Sequence, residues 1–129
     1  MEYRTLTGIS HSVINELRDH MLRTLEIRSP RNFLAALDIK AGEGIFLTST
    51  SAQDLTVGTV GVLGQVVQHQ IATHRIINGN DDFYEERETT IIRLQLKPRC
   101  PGRVRRVLEN RIGEVTVVEA EAVSFYDAR

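Results

Sequence analysis

Residues Arg23 to Thr50 read RTLEIRSPRNFLAALDIKAGEGIFLTST, and the reading of this stretch decides the fold. From Thr24 to Arg28 the residues alternate with the period of a strand, Leu25 and Ile27 on one face, Thr24, Glu26 and Arg28 on the other. Ser29-Pro30 then marks a helix start: a hydroxyl to cap, followed by a residue whose missing N–H costs nothing at the first helical position. Phe33, Leu34 and Leu37 supply a short apolar stripe for a helix over Pro30–Leu37. The Ala41-Gly42-Glu43-Gly44 turn leads into a second strand, Ile45 to Thr50. A charged strand, one short helix, a glycine turn and a polar strand, in this order, build one wall of a pocket.

Toward the N-terminus, Tyr3 to Ile9 reads as a strand. Ser10 caps a helix over Ser10–His20 whose apolar positions Val13, Ile14, Leu17 and Met21 recur at helical spacing. Beyond the organising stretch, Val57 to Val67 is a strand interrupted by Gly58, Gly61 and Gly64. That spacing is not the Gly-x-Gly-x-x-Gly of a dinucleotide site, and no amphipathic helix follows it; glycines in a strand mark bends and close approaches instead. Gln65 to Ile77 continues as strand, Asn78-Gly79-Asn80 signals a turn, and Thr89 to Lys97 is strand again. Pro98 to Gly102 breaks the pattern, Arg103 to Leu108 partly alternates, and Glu114 to Phe125 is a last strand. Early helices followed by repeated short strands give an α+β fold, a small and mainly antiparallel β-barrel with two short N-terminal helices, formed by 1–129 as a single domain. Its expected core includes Leu25, Ile27, Phe33, Leu34, Ile45, Leu47, Val62 and Leu94.

Composition narrows the function. Aromatic residues make up 5% of the chain and Trp is absent, which argues against a general single-strand binder that stacks bases on aromatic platforms. The net charge of −1 gives no global field for polyanions, so any nucleic-acid contact is local. Its basic residues are nearly all Arg, the side chain whose planar fork matches phosphate, carboxylate and guanine edges. A lone cysteine, Cys100, excludes an internal disulfide framework and a cysteine metal cage. Four scattered His residues and the open acidic run of Glu85, Glu86 and Glu88 offer no ligand spacing, so no metal and no cofactor are assigned. With neither a secretory pattern nor a membrane-length apolar run, the expected location is the cytoplasm, with no membrane partner.

The strand-helix-turn-strand order resembles the ASCH-type members of the PUA-like superfamily, small β-barrels associated with RNA. Their Gly-x-Lys-x-x-Glu-x-Arg signature corresponds to Met21 through Arg28, with Glu26 and Arg28 intact, Arg23 in place of the Lys and Met21 in place of the Gly. Gly42-Glu43 stands where the family has a Gly-Asp turn. The whole chain also resembles a family of small uncharacterised archaeal proteins.

The resemblance implies an RNA- or modified-nucleotide-binding cleft lined by Arg23, Glu26, Arg28, Thr48 and Ser49. In it Arg28 takes the phosphate or base edge and Glu26 pairs with Arg28 across one strand face. The plain alternative is a surface ion pair of small energetic worth. Some ASCH-type proteins are hydrolases of nucleoside derivatives; Arg23 cannot shed its proton to act as the motif Lys would, which leaves Glu26 as the candidate catalytic base. A separate electrostatic footprint for a phosphate backbone lies in Lys97, Arg99, Arg103, Arg105 and Arg106, balanced by the acidic run Gly79 to Glu88 if it is merely a solvated hairpin. The same opposed charges would serve a protein-interaction module.

Overall fold

The computed structural model describes residues 1–19, 22–27, 30–79, 84–111 and 115–123, with the backbone alone described at 30, 31, 74–76, 78 and 84–89. It is a mixed α+β structure, mostly strands with two short helices: β1 (Glu2–Leu6), α1 (His11–Arg18), β2 (Arg23–Ile27), α2 (Pro30–Leu37), β3 (Gly44–Leu47), β4 (Val60–Gly79), β5 (Tyr84–Glu109) and β6 (Val117–Ala122). The sheet order is β2-β5-β4-β3-β1-β6, and β5 also pairs with β6, so five strands form a ring and β2 hangs on its outside. Only β1 and β3 run parallel among the described pairings. No helix among the described residues is long and apolar enough to cross a membrane.

Strand β3 explains the two-layered core. Its run Ile45-Phe46-Leu47 is buried on both faces, as a strand covered twice must be. Ile45 and Leu47 join the larger cluster, where Leu25, Ile27, Val62, Val66, Leu94 and Leu96 meet Val13, Ile14 and Leu17 of α1 and Ala35 and Ala36 of α2. Phe46 points the other way into a smaller cluster with Leu63, Val104, Val118 and Ala120, which fills the ring. The ring is narrow enough to require glycine opposite Phe46. A Cβ on Gly61 would collide with the Leu47 carbonyl oxygen and stand 2.7 Å from Phe46 Cζ, and one on its register partner Gly102 would stand 2.8 Å from Leu63 Cγ.

Two expectations are corrected here. Pro98 to Gly102 does not end a strand, because β5 runs through both prolines. The pairing with β4 shifts register there: Cys100 faces Leu63 and Pro98 faces Gly64, which leaves Arg99 as the extra residue of a bulge. A bulge tolerates a proline whose missing N–H would break a regular ladder. The basic stretch therefore belongs to one continuous strand that forms a wall of the ring. In α2, Leu34 and Leu37 are each 40% exposed, while Asn32, Ala35 and Ala36, with Ile39 just beyond the helix, form the buried face and Phe33 is only partly covered. The helix turns its small residues to the sheet because they allow it to sit close. The other expected core residues, Leu25, Ile27, Ile45, Leu47, Val62 and Leu94, are buried.

Candidate functional site

Among the described residues strand β2 is an edge, bonded only to β5 in the register Arg23↔Leu96 to Ile27↔Ile92. An edge strand leaves alternate backbone N–H and C=O groups unpaired by the sheet. Along β2 lies a cleft of about 300 Å³, walled by the loop Gly8 to Ser10, Val13 of α1, Leu25 to Ile27 of β2 and Asn32 of α2. Its floor is apolar, from Ile9, Val13, Leu25 and Ile27, and its polar groups are few: Ser10, Glu26 and Asn32.

Each wall is fixed by local bonding. Gly8 adopts φ +64, a backbone conformation that favours glycine, so the chain can leave β1 and enter α1 in a few residues. Ser10 caps α1 by accepting from the Val13 N–H at 3.4 Å. The buried Asn32 side chain receives the Thr7 N–H on Oδ1 at 3.0 Å and donates Nδ2 to the Thr7 carbonyl at 2.8 Å, closing a peptide-like pair that ties α2 to the end of β1.

Of the residues expected to form the site, the structure brings Glu26 to the cleft. Its Oε1 accepts from Arg93 Nε across the β2–β5 pair at 3.3 Å. Arg28 and Ser29, the expected cap, lie outside the described residues, so the expected Glu26–Arg28 contact does too. Arg23 shares the strand face of Leu25 and Ile27 and pairs with Glu16 of α1, away from Glu26. Thr48 is fully buried and lines no part of the cleft: its hydroxyl donates to the Val60 carbonyl at 3.0 Å and accepts from the Thr50 N–H at 3.1 Å. Its backbone instead holds the cleft loop, since the Ile9 N–H donates to the Thr48 carbonyl at 3.0 Å and the Gly8 N–H to that of Thr50, also at 3.0 Å. Ser49 is half-buried beside it, also outside the cleft lining.

The outer face of β2 continues from Glu26 into a shallow polar depression formed by Thr24, Gln68, Gln70, Arg93 and Gln95. Sequence reasoning missed Asn32 and Arg93. Asn32 carried a signal, an amide within an otherwise apolar helical stretch; Arg93 carried none, because it meets Glu26 only through strand register.

Among the described residues the basic stretch is balanced by β6. Arg103 donates to Glu121 Oε1 at 2.8 Å, Arg105 lies 3.7 Å from Glu121 Oε2, and Arg106 donates to Glu119 at 3.2 Å. The Arg103 hydrogen bond, aided by the charge of Arg105, holds the Glu121 carboxyl below its ordinary range. Much of this footprint's charge is thus met by β6. Lys97 is exposed on the same strand, and the side chains of residues 84–88 lie outside the described ones.

Residues 1–118 match the model of a family described as a protein of unknown function (DUF473). An uncharacterised protein of Methanocaldococcus jannaschii, MJ0105, is 33% identical over 97 residues, 75% of this chain. The chain spans 60% of the length of that relative. The chain belongs to the DUF473 family.

Proposed function

We propose that this member of the DUF473 family is a PUA/ASCH-like module that binds RNA or a modified nucleotide in the cleft along β2. The observation that carries the reading is the meeting of the motif residue Glu26 with an unpaired strand edge over an apolar floor. Such a cleft suits a planar base: apolar residues cover its faces, while edge amides, the Ser10 hydroxyl and the Glu26 carboxylate meet its polar rim. The Gln- and Thr-bearing depression beside it offers neutral donors and acceptors to the flanking chain. Recognition of this kind depends little on net charge, in keeping with −1 overall and with arginines met by β6.

A hydrolase using Glu26 as base finds less support. Glu26 is bonded to Arg93, and the Thr48 hydroxyl is committed to the Val60 carbonyl. The deciding experiment is an amide NMR titration with ribonucleosides, modified nucleosides and short single-stranded RNA. Shifts concentrated on Gly8, Ile9 and Leu25–Ile27, weakened by Glu26→Gln, are expected. Shifts confined to other surfaces, or none at millimolar ligand, would overturn the proposal.

A further inference from the structure

A larger cavity, about 470 Å³, opens at one end of the ring and takes no part in that reading. All five ring strands contribute to its wall: Tyr3 of β1, Gly44 of β3, Leu63 to Gln65 of β4, Arg99 and Cys100 of β5, and Ala122 of β6. Its volume falls in the range of about 300–1,000 Å³ typical of small-molecule sites. The floor is apolar because Tyr3, Leu63 and Cys100 also belong to the cluster that fills the ring.

The rim carries two groups of opposite charge. Arg99, left over by the bulge in β5, is steered by an amide: its Nη2 donates to Gln65 Oε1 at 3.0 Å, and Gln65 Nε2 in turn donates to the Gly42 carbonyl at 3.2 Å. Among the described residues Arg99, like Arg18 and Arg111, meets no carboxylate, whereas Arg4, Arg23, Arg93, Arg103, Arg105 and Arg106 each do. Its fork is placed by Gln65, and among the described residues its charge is unmatched. Glu43 supplies the second group. Its side chain is a third exposed on the cavity wall and is loosely paired with Arg4, whose Nε lies 3.9 Å from Oε2. A loosely held, partly exposed carboxylate keeps lone pairs available to a further donor.

We infer that the ring mouth is a second binding site, for a small molecule that joins an anionic group to a planar body bearing N–H donors. The anion, phosphate or carboxylate, sits on the Arg99 fork, the planar body lies over Tyr3 and Leu63, and its N–H groups face Glu43. The Gln65 contact fixes the guanidinium in advance, which reduces the entropy lost when the anion arrives.

Cys100 lines this cavity and is the chain's one cysteine, so its alkylation by iodoacetamide reports occupancy at a single place. The intact chain is treated in the presence of ribonucleoside 5′-monophosphates, their parent nucleosides, or anthranilate as an aromatic amino carboxylate. Modification is followed by mass spectrometry. Monophosphates or anthranilate at ten times their Kd should slow alkylation about tenfold, as expected if only the free protein reacts. Which of the two protects separates phosphate from carboxylate. Nucleosides lacking the anion should protect little. Arg99→Gln should lose the protection and Arg99→Lys keep part of it, protection being read for each variant as the ratio of its own rates with and without ligand, with thermal unfolding followed by circular dichroism as the check on folding. Should Arg99→Gln fail to fold, Glu43→Gln replaces it with the same expected loss. No protection by any probe at millimolar concentration, or equal protection in wild type and Arg99→Gln, would overturn the inference. Nucleosides bound beside Glu26 leave Cys100 reactive, so failure here is distinguishable from failure of the β2 cleft.

Discussion

Helices α1 and α2 each span eight residues and cover the same layer of the core, yet they are held to it in different ways. Helix α1 presents Val13, Ile14 and Leu17 at helical spacing, and its adhesion is hydrophobic. Helix α2 presents two alanines and one asparagine, and leaves two leucines partly in water. Its adhesion combines a close backbone approach with the paired hydrogen bonds between Asn32 and Thr7. A helix anchored by area tolerates shifts in angle, whereas one anchored by a directional pair does not. The cleft lies between the two, so one wall is set by packing and the other by geometry.

Mutations can break this contrast. Leu17→Ala should have the largest effect, about 2–5 kcal/mol of lost stability in denaturant unfolding, since the side chain is 1% exposed and its removal leaves a cavity. Asn32→Ala should cost about 1–3 kcal/mol by leaving the Thr7 N–H and carbonyl unpaired in a buried place. Unlike Leu17→Ala, it should also disturb the amide resonances of Gly8 and Ile9 while the rest of the spectrum holds. Leu34→Ala should be smallest, within about 0.5 kcal/mol, because the side chain it removes is substantially exposed. If Leu34→Ala proved as harmful as Leu17→Ala, α2 would be held by its leucines after all.

The same contrast shows how much the sequence could tell. Helix α1 was legible because its packing and its apolar periodicity coincide. Helix α2 was legible in extent, since Pro30 opens it, but not in phase: large apolar residues outweigh alanine and asparagine in any pattern read from hydrophobicity alone. The glycines of β4 were legible as marks of close approach, although Phe46 as their neighbour was not. Continuity of β5 through Pro98 and Pro101 was hidden because it depends on a bulge set by the partner strand. At the cleft, the alternation of β2 placed Glu26 on the outer face, and the register that brings Arg93 to it joins segments with no local signal. Thr48 was legible as a polar residue near the site but not as the one whose backbone carries the Gly8–Ile9 loop, because that bonding runs between segments separated by α1 and α2.

The position of β1 bears on how the chain folds in time. It lies between β3 and β6, so a strand ending at Leu6 must wait for one beginning at Val117 before the ring can close. The β4–β5 pairing is nearly local and forms early by comparison, since loop closure is cheap over a short connection. Ring closure joins distant segments, and such topologies fold slowly for their size. During synthesis, β3 meets β4 soon after it emerges, whereas β1 would leave the ribosome with one edge unsatisfied until most of the chain has followed. That interval, rather than the finished ring, is where misassembly between neighbouring nascent chains would begin.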